Sequence, residues 1–424
     1  MLVKYISQIS IFCYFLMYFS EIDINMKFIR IIMKNCLRNG SIILIILAAI
    51  TFVHGAVPGD LDGDKIVSKD ELQMAEDQLR EGKITSDQLE EIKHIKENYP
   101  RTIVDCTNRT VTIYKPIKRI IAFGGYDTET ISLMGDKEKI VGIPNYFKDI
   151  DFRWMFFPSL INKTAPGSAS SPDLEMILNL SPDLLTCWHY YPSKLEEQLP
   201  ENITVVGLDL FDPKTFVDEA KKLAYILEKE EALDNYIDGF YSKNMDIIAE
   251  RTKDLPEEKR PMVYWERLKP YETFGSPNYI TRVIELAGGK NIFANDDFDI
   301  AEIDAEKVVK HNPDIIIRYA GTKGPETGYS VDDPAQAEAL RNEIVQRPEL
   351  AQTNAVKNGR VYVMYMGLPL GIQGPIGEAY AAKIIQPDLF KDLDPQRMIQ
   401  EFLSDFLDAQ FDPRQHGVFI YPPL

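Results

Sequence analysis

Residues 174–188, LEMILNLSPDLLTCW, and residues 305–319, AEKVVKHNPDIIIRY, repeat one pattern. In each, apolar residues at helical spacing stop at Ser181-Pro182-Asp183 or Asn312-Pro313-Asp314. Proline disfavours helix at the residue before it and brings no N–H of its own, so it marks a helix end. An apolar run follows at once, Leu184-Leu185-Thr186 or Ile315-Ile316-Ile317, and reads as a buried strand of a parallel sheet. An aromatic closes both units, Trp188 and Tyr319. Two such units predict two α/β lobes of one design with a binding cleft between them.

The pattern extends outward from these units. Thr102–Asp105 and Thr110–Ile113 predict a hairpin turning near Asn108. Arg119–Phe123, Ile140–Ile143 and Thr204–Leu208 read as further strands of the first lobe, and residues 144–173 as a long functional loop. From Pro213 to about Lys253 only Gly239 interrupts a helical pattern, which predicts one spine helix near 60 Å long at about 1.5 Å per residue. The second lobe starts near Pro261. The expected divisions are 1–56, 57–100, lobe 1 at 101–212, spine and linker at 213–259, and lobe 2 at 260–424.

A chain of 424 residues is long enough for two cores and an appendage. Its formal charge of −18 argues against nucleic acid and against direct contact with anionic lipid. Lys27, Arg30, Lys34 and Arg38 precede the apolar stretch Ser41–Val53, which ends in Gly55-Ala56. That order reads as a signal peptide, or as an uncleaved anchor, and predicts an extracytoplasmic protein. Cys187 falls in a strand and is expected in a core.

Residues 57–100 form an acidic module. Asp60, Asp62 and Asp64, the carbonyl of Ile66, then Ser68 and Glu71 stand at the ligand positions of a twelve-residue calcium loop. A hard cation needs six to eight oxygens, and this spacing gathers them around one point. Lys65 replaces the usual glycine and is expected in a left-handed conformation. A second loop at Gly82–Thr85 has Leu79 where a carboxylate is needed and reads as a metal-free brace. Thr85 with Gln88 fits a capping box opening a helix over 86–98.

Ligands of open parallel sheets bind beyond the carboxyl ends of the strands. Those ends offer Tyr126, Tyr146, Trp188, His189, Tyr190, Trp265, Arg267, Arg318, Tyr319 and Tyr365, with Trp154 in the long loop. The aromatics favour a flat or bulky ligand, the arginines an anionic group, and His189 is a rim donor or a ligand to a chelated metal. No nucleophile elbow, dinucleotide glycine fingerprint or paired metal histidines occur, so no enzyme is expected. A calcium-dependent attachment protein using residues 57–100, with the lobes as scaffold, is the alternative.

From Arg101 onward the chain resembles the extracytoplasmic substrate-binding proteins of iron-siderophore, haem and cobalamin ABC importers. The resemblance rests on TVTIYKPIKRII (110–121), the two Pro-Asp units, IELAGGKNIFA (284–294), AVKNGRVYV (355–363) and AYAAKIIQPDLF (379–390). Residues 59–90 resemble an EF-hand or dockerin half, and the combination resembles archaeal members of the group. The resemblance implies an α/β fold of two Rossmann-like lobes on one long helix, with little hinge closure. It further implies capture of a metal chelate, ferric siderophore first and corrinoid or haem next, and delivery to a permease with its ATPase. One acidic residue per lobe would meet permease arginines, Glu196 or Glu197 in lobe 1 and Glu378 in lobe 2.

Overall fold

The computed structural model describes residues 57–321 and 326–424. The signal-peptide reading falls on residues 1–56 and lies outside the described residues. Among the described residues no helix is long and apolar enough to cross a membrane.

The module comprises helices Lys69–Arg80 and Ser86–Asn98, each opened by a reciprocal capping box, Ser68 with Glu71 and Thr85 with Gln88. Each box satisfies two helix-end N–H groups that would otherwise lack partners. Lys65 is left-handed, at φ 69°. The hairpin β1 (Arg101–Val104) and β2 (Thr110–Ile113) follows, with Asn108 at φ 64° in its turn.

Lobe 1 holds β3 (Ile120–Ala122) and β4 (Ile140–Gly142), then the short hairpin β5 (Gly167–Ser168) and β6 (Ser171–Pro172), then β7 (Leu184–Cys187) and β8 (Thr204–Gly207). Its sheet runs β4-β3-β7-β8, all parallel. Every residue of β3 and β7 is buried, as a parallel sheet covered on both faces requires. Cys187 lies in that core. The segment expected as a long loop is instead mostly short elements, including turns of 3-10 helix and the helix Asp151–Phe156. Phe147, Phe152 and Leu160 are its buried anchors.

Lobe 2 holds β9 (Met262–Glu266), β10 (Glu272–Phe274), β11 (Lys290–Asn291), β12 (Ile300–Glu302), β13 (Ile315–Ala320), β14 (Val361–Tyr365) and β15 (Ile420–Tyr421). The order is β12-β10-β9-β13-β14-β15, with β11 beside β9. β9, β13 and β14 form its parallel centre, and β10, β12 and β15 are antiparallel additions.

The repeated unit does the same work in both lobes. Helix Leu174–Leu180 ends at Ser181 with φ 44°, and helix Ala305–His311 ends at Asn312 with φ 46°. Asp183 Oδ2 then accepts the N–H groups of Lys118 and Arg119, both at 2.9 Å. Asp314 Oδ2 accepts that of Met262, also at 2.9 Å. Each aspartate therefore caps the amino end of the neighbouring strand, β3 or β9, and sets the register of the pair.

The spine departs from expectation. Helix Phe216–Leu227 stops at Glu228, which closes it at φ 59°. A second helical stretch runs from Glu230 to Thr252 with a π turn at Ile237–Tyr241 that contains Gly239. The spine is thus two segments, the longer about 35 Å at 1.5 Å per residue. A left-handed non-glycine residue costs roughly 1–2 kcal/mol. At Glu228 the turn is closed by the Lys229 N–H on the Ala224 carbonyl at 2.9 Å, and His94 of the module lies 2.8 Å from the Glu228 carboxylate. One continuous apolar cluster links Val57 and Ile92 of the module to Phe216 and Phe402 of the body.

Candidate ligand cleft

Phe211, four residues past the end of β8, lies at the centre of the space between the lobes. Its ring is 5.5 Å from Trp188 and 6.5 Å from Tyr126, both of lobe 1, and 5.4 Å from Tyr279 of lobe 2. Its carbonyl accepts the Gly371 N–H at 3.1 Å, and a Cβ added at Gly371 would stand 2.5 Å from the Tyr126 ring. Glycine is thus required at 371 both by this close approach and by its φ of 54°. Beside Phe211, Asp212 pairs with Arg282 of lobe 2.

The mouth of lobe 1 carries exposed aromatics. Trp188 is 37% exposed and Tyr190 67%, with His189 between them, 4.4 Å and 4.0 Å from their rings. Asp209 lies beside Trp188 and His189, and burial raises its carboxyl above the usual range. Tyr146 donates to the Phe123 carbonyl at 3.1 Å, while Trp154 is 44% exposed on its short helix.

Beneath this mouth the floor of lobe 1 is ionised and dry. Arg153 Nε meets Glu129 at 2.6 Å, both are buried, and the guanidinium lies near the rings of Tyr126, Tyr146 and Phe147. Asp127 is also buried, and burial pushes its carboxyl up to about 6.

Several expected site residues of lobe 2 are not free to meet a ligand. Trp265 and Tyr319 are buried against each other, their rings 5.1 Å apart. Arg318 is bound to Glu266 at 3.2 Å and to the Leu268 carbonyl, and Arg267 is bound to Glu272 at 3.0 Å. Glu266 is wholly buried and also holds Arg347 at 2.7 Å, so its charge is matched by two guanidiniums. Tyr365 is buried and donates to Asp151 at 2.7 Å, and Asp151 also accepts the Ser330 N–H at 3.0 Å. That contact latches the lobe-1 helix Asp151–Phe156 to lobe 2.

The docking glutamates separate as well. Glu196 is exposed and pairs with Arg109 at 2.7 Å. Glu378, expected at the surface, is 1% exposed inside helix Gly374–Ile385, and burial holds its carboxyl well above the ordinary range. A side chain without surface is not placed to meet a permease arginine.

Phe211, Tyr279, Arg282 and Arg153 were absent from the sequence-based set. The strand-end rule reaches Phe211, because it follows the carboxyl end of β8. Tyr279 opens a helix, and Arg153 sits in the segment read as loop, so no strand end points to either. A surface hollow of about 780 Å³ is lined by Arg260, Met262 and Lys290, and also by Arg282, the partner of Asp212.

A family model described as periplasmic binding protein matches residues 120–365, from the first residue of β3 to the last of β14. The chain belongs to the periplasmic binding protein family. It is therefore an extracytoplasmic substrate-binding protein and not an enzyme. It is 26% identical over 346 residues to the molybdate-binding protein MolA of Haemophilus influenzae, covering 74% of this chain and 92% of that one. To the vitamin B12-binding protein of Vibrio cholerae it is 23% identical over 261 residues, 59% of this chain and 81% of the relative. The TroA-like periplasmic binding protein FepB of Veillonella parvula has the same fold, with a TM-score of 0.64 at 23% identity, over 76% of this chain and 99% of that one.

Proposed function

We propose that this protein is the substrate-binding component of an ABC importer and captures a metal chelate in the cleft around Phe211. The observation that carries the reading is the set of rings at the lobe-1 mouth, Trp188, Tyr190 and Phe211, with His189 among them. Such a surface suits a ligand with broad apolar faces. A bare oxyanion fits it less well, although one relative is named for molybdate. Arg267, Arg318 and Arg282 are already paired with carboxylates, Arg282 with Asp212 at the mouth itself. Of the chelates, a ferric siderophore comes first and a corrinoid or haem next.

The test is quenching of tryptophan fluorescence by ferric siderophores, cobalamin, haemin and molybdate. Saturable quenching by one of the chelates is expected, with Trp188→Ala weakening it at least tenfold. Binding of molybdate alone, or of nothing in the panel, sinks the chelate reading.

The loop Asp60–Glu71 is proposed as a calcium site. Asp60, Asp62 and Glu71 each place an oxygen within 4.8 Å of the others, which fits one cation. Asp64 accepts the Ile66 N–H at 2.7 Å and stands outside that group. N–H donation from Leu61 and Ser68 lowers the Glu71 carboxyl to about 2 and keeps it ionised. Calcium would supply charge balance and order there. Packing of the module onto the body, through His94 with Glu228 and Glu91 with Lys118, favours a brace over a free attachment arm. Calorimetry should show calcium binding together with a raised Tm, since a ligand of the folded state must stabilise it. Absence of both refutes the site.

A further inference from the structure

Asparagine followed two residues later by serine or threonine occurs four times in lobe 1, at Asn108-Arg-Thr110, Asn162-Lys-Thr164, Asn179-Leu-Ser181 and Asn202-Ile-Thr204. Lobe 1 has five asparagines, so all but Asn145 stand in this motif. From residue 213 to the C-terminus there are nine asparagines, and none does. With equal odds at every asparagine, that segregation is not expected.

The four also share a structural state. All are exposed. Asn108 is in the β1–β2 turn, Asn162 and Asn202 are in turns, and Asn179 lies in the last turn of its short helix. None of their side-chain amides makes a hydrogen bond among the described residues. Three asparagines of lobe 2 are engaged in holding the fold: Asn278 caps a helix and bonds Asp299, Asn291 bonds the Phe274 carbonyl, and Asn312 accepts from Asn354. The four in lobe 1 are as open as the exposed Asn145, Asn235, Asn295 and Asn358, and what sets them apart from these is the motif.

We propose that lobe 1 is an N-glycosylated surface, modified at Asn108, Asn162, Asn179 and Asn202. The donor is an oligosaccharide carried on a lipid diphosphate, presented outside the cytoplasm by a membrane transferase. The side-chain amide nitrogen attacks the anomeric carbon of the first sugar. A C–N bond forms, the bond from that carbon to the diphosphate oxygen breaks, the lipid diphosphate leaves, and the amide gives up one proton. The hydroxyl two residues on is part of what such a transferase recognises, and glycans at these positions are bulky, solvated surface groups. Asn179 and Asn202 precede β7 and β8, at the amino ends of those strands. Trp188 leaves the opposite, carboxyl end of β7, so glycans there leave the aromatic mouth uncovered.

The proposal rests on the extracytoplasmic reading, and the experiment separates the two. Full-length protein from its native cells is digested and its peptides weighed, while protease shaving of intact cells reports its location. Glycan mass increments on the four motif peptides are expected, and none on the peptides of lobe 2. Asn162→Gln and Thr164→Ala should both abolish the increment on that peptide completely, and Thr164→Ser should keep it. Protein outside the cell with all four peptides at their bare masses overturns the glycans and leaves export standing. Protein inside the cell with bare peptides overturns both.

Discussion

In lobe 1, Ser181 turns left-handed, Asp183 receives the N–H groups that open β3, and β7 stops at Cys187. In lobe 2, Asn312 and Asp314 make the same turn and the same cap for β9, but β13 continues through Ala320. Two more strand residues change the fate of the final aromatic. Trp188 has left its sheet and lies 37% exposed at the cleft mouth, while Tyr319 is still in its sheet and 1% exposed. Equivalent sequence positions therefore became a contact surface in one lobe and a support in the other. The charges follow suit. Lobe 1 keeps one buried pair, Glu129 with Arg153, under open aromatics, and lobe 2 packs Glu266 between two arginines.

The contrast in buried charge is broken most directly by removing the carboxylates. Glu266→Ala takes the carboxylate from buried Arg318 and leaves Arg347 with Glu343, and should cost about 3–5 kcal/mol in urea denaturation. Glu129→Ala strands Arg153 alone and should cost less. Equal losses would mean that Glu343 suffices for Arg347, and that the lobes do not differ in this respect. A second measurement concerns pH. Asp127 is pushed up to about 6, above its ordinary 3.8, so the folded protein binds the extra proton between those values. Stability should then rise as pH falls from above 6 towards 4, by up to about 3 kcal/mol from this group. Asp127→Asn should remove that slope, and an unchanged slope would assign it to other buried acids such as Glu378.

The shared part of the unit is tested next. Asp183→Ala and Asp314→Ala each orphan strand-opening N–H groups and should each cost about 1–3 kcal/mol. A large effect in one lobe only would show that the two caps are not equivalent. The smallest expected effect separates their left-handed residues. Ser181→Gly should stabilise by about 0.5–1 kcal/mol by relieving its φ of 44°. Asn312→Gly should not, because Asn312 also accepts the Asn354 N–H at 2.9 Å. Thermal melts of the two variants give the comparison.

Much of this was legible in the residues because it is local. Pro-Asp after a helical pattern, an apolar run after that, and a capping box before residues 86–98 each state a short-range preference that the fold obeys. The spine was misread because the break at Glu228 has no glycine or proline to announce it. His94, 134 residues away in sequence, meets its carboxylate, a contact that no local pattern shows. The cleft was half legible for a related reason. Strand-end position identifies Trp188 and His189, but exposure depends on where hydrogen bonding stops, and that separated Trp188 from Trp265, Tyr319 and Tyr365.

By itself, the sequence determined two lobes of one design, the strands that build them and the helices of the acidic module. These follow from periodicity and from prolines and caps that act within a few residues. Only the tertiary structure decided which aromatics a ligand can reach, which arginines are already neutralised, and that Glu378 is buried. Those outcomes depend on the partners that distant segments bring, and a buried charge or ring is defined by its neighbours in space.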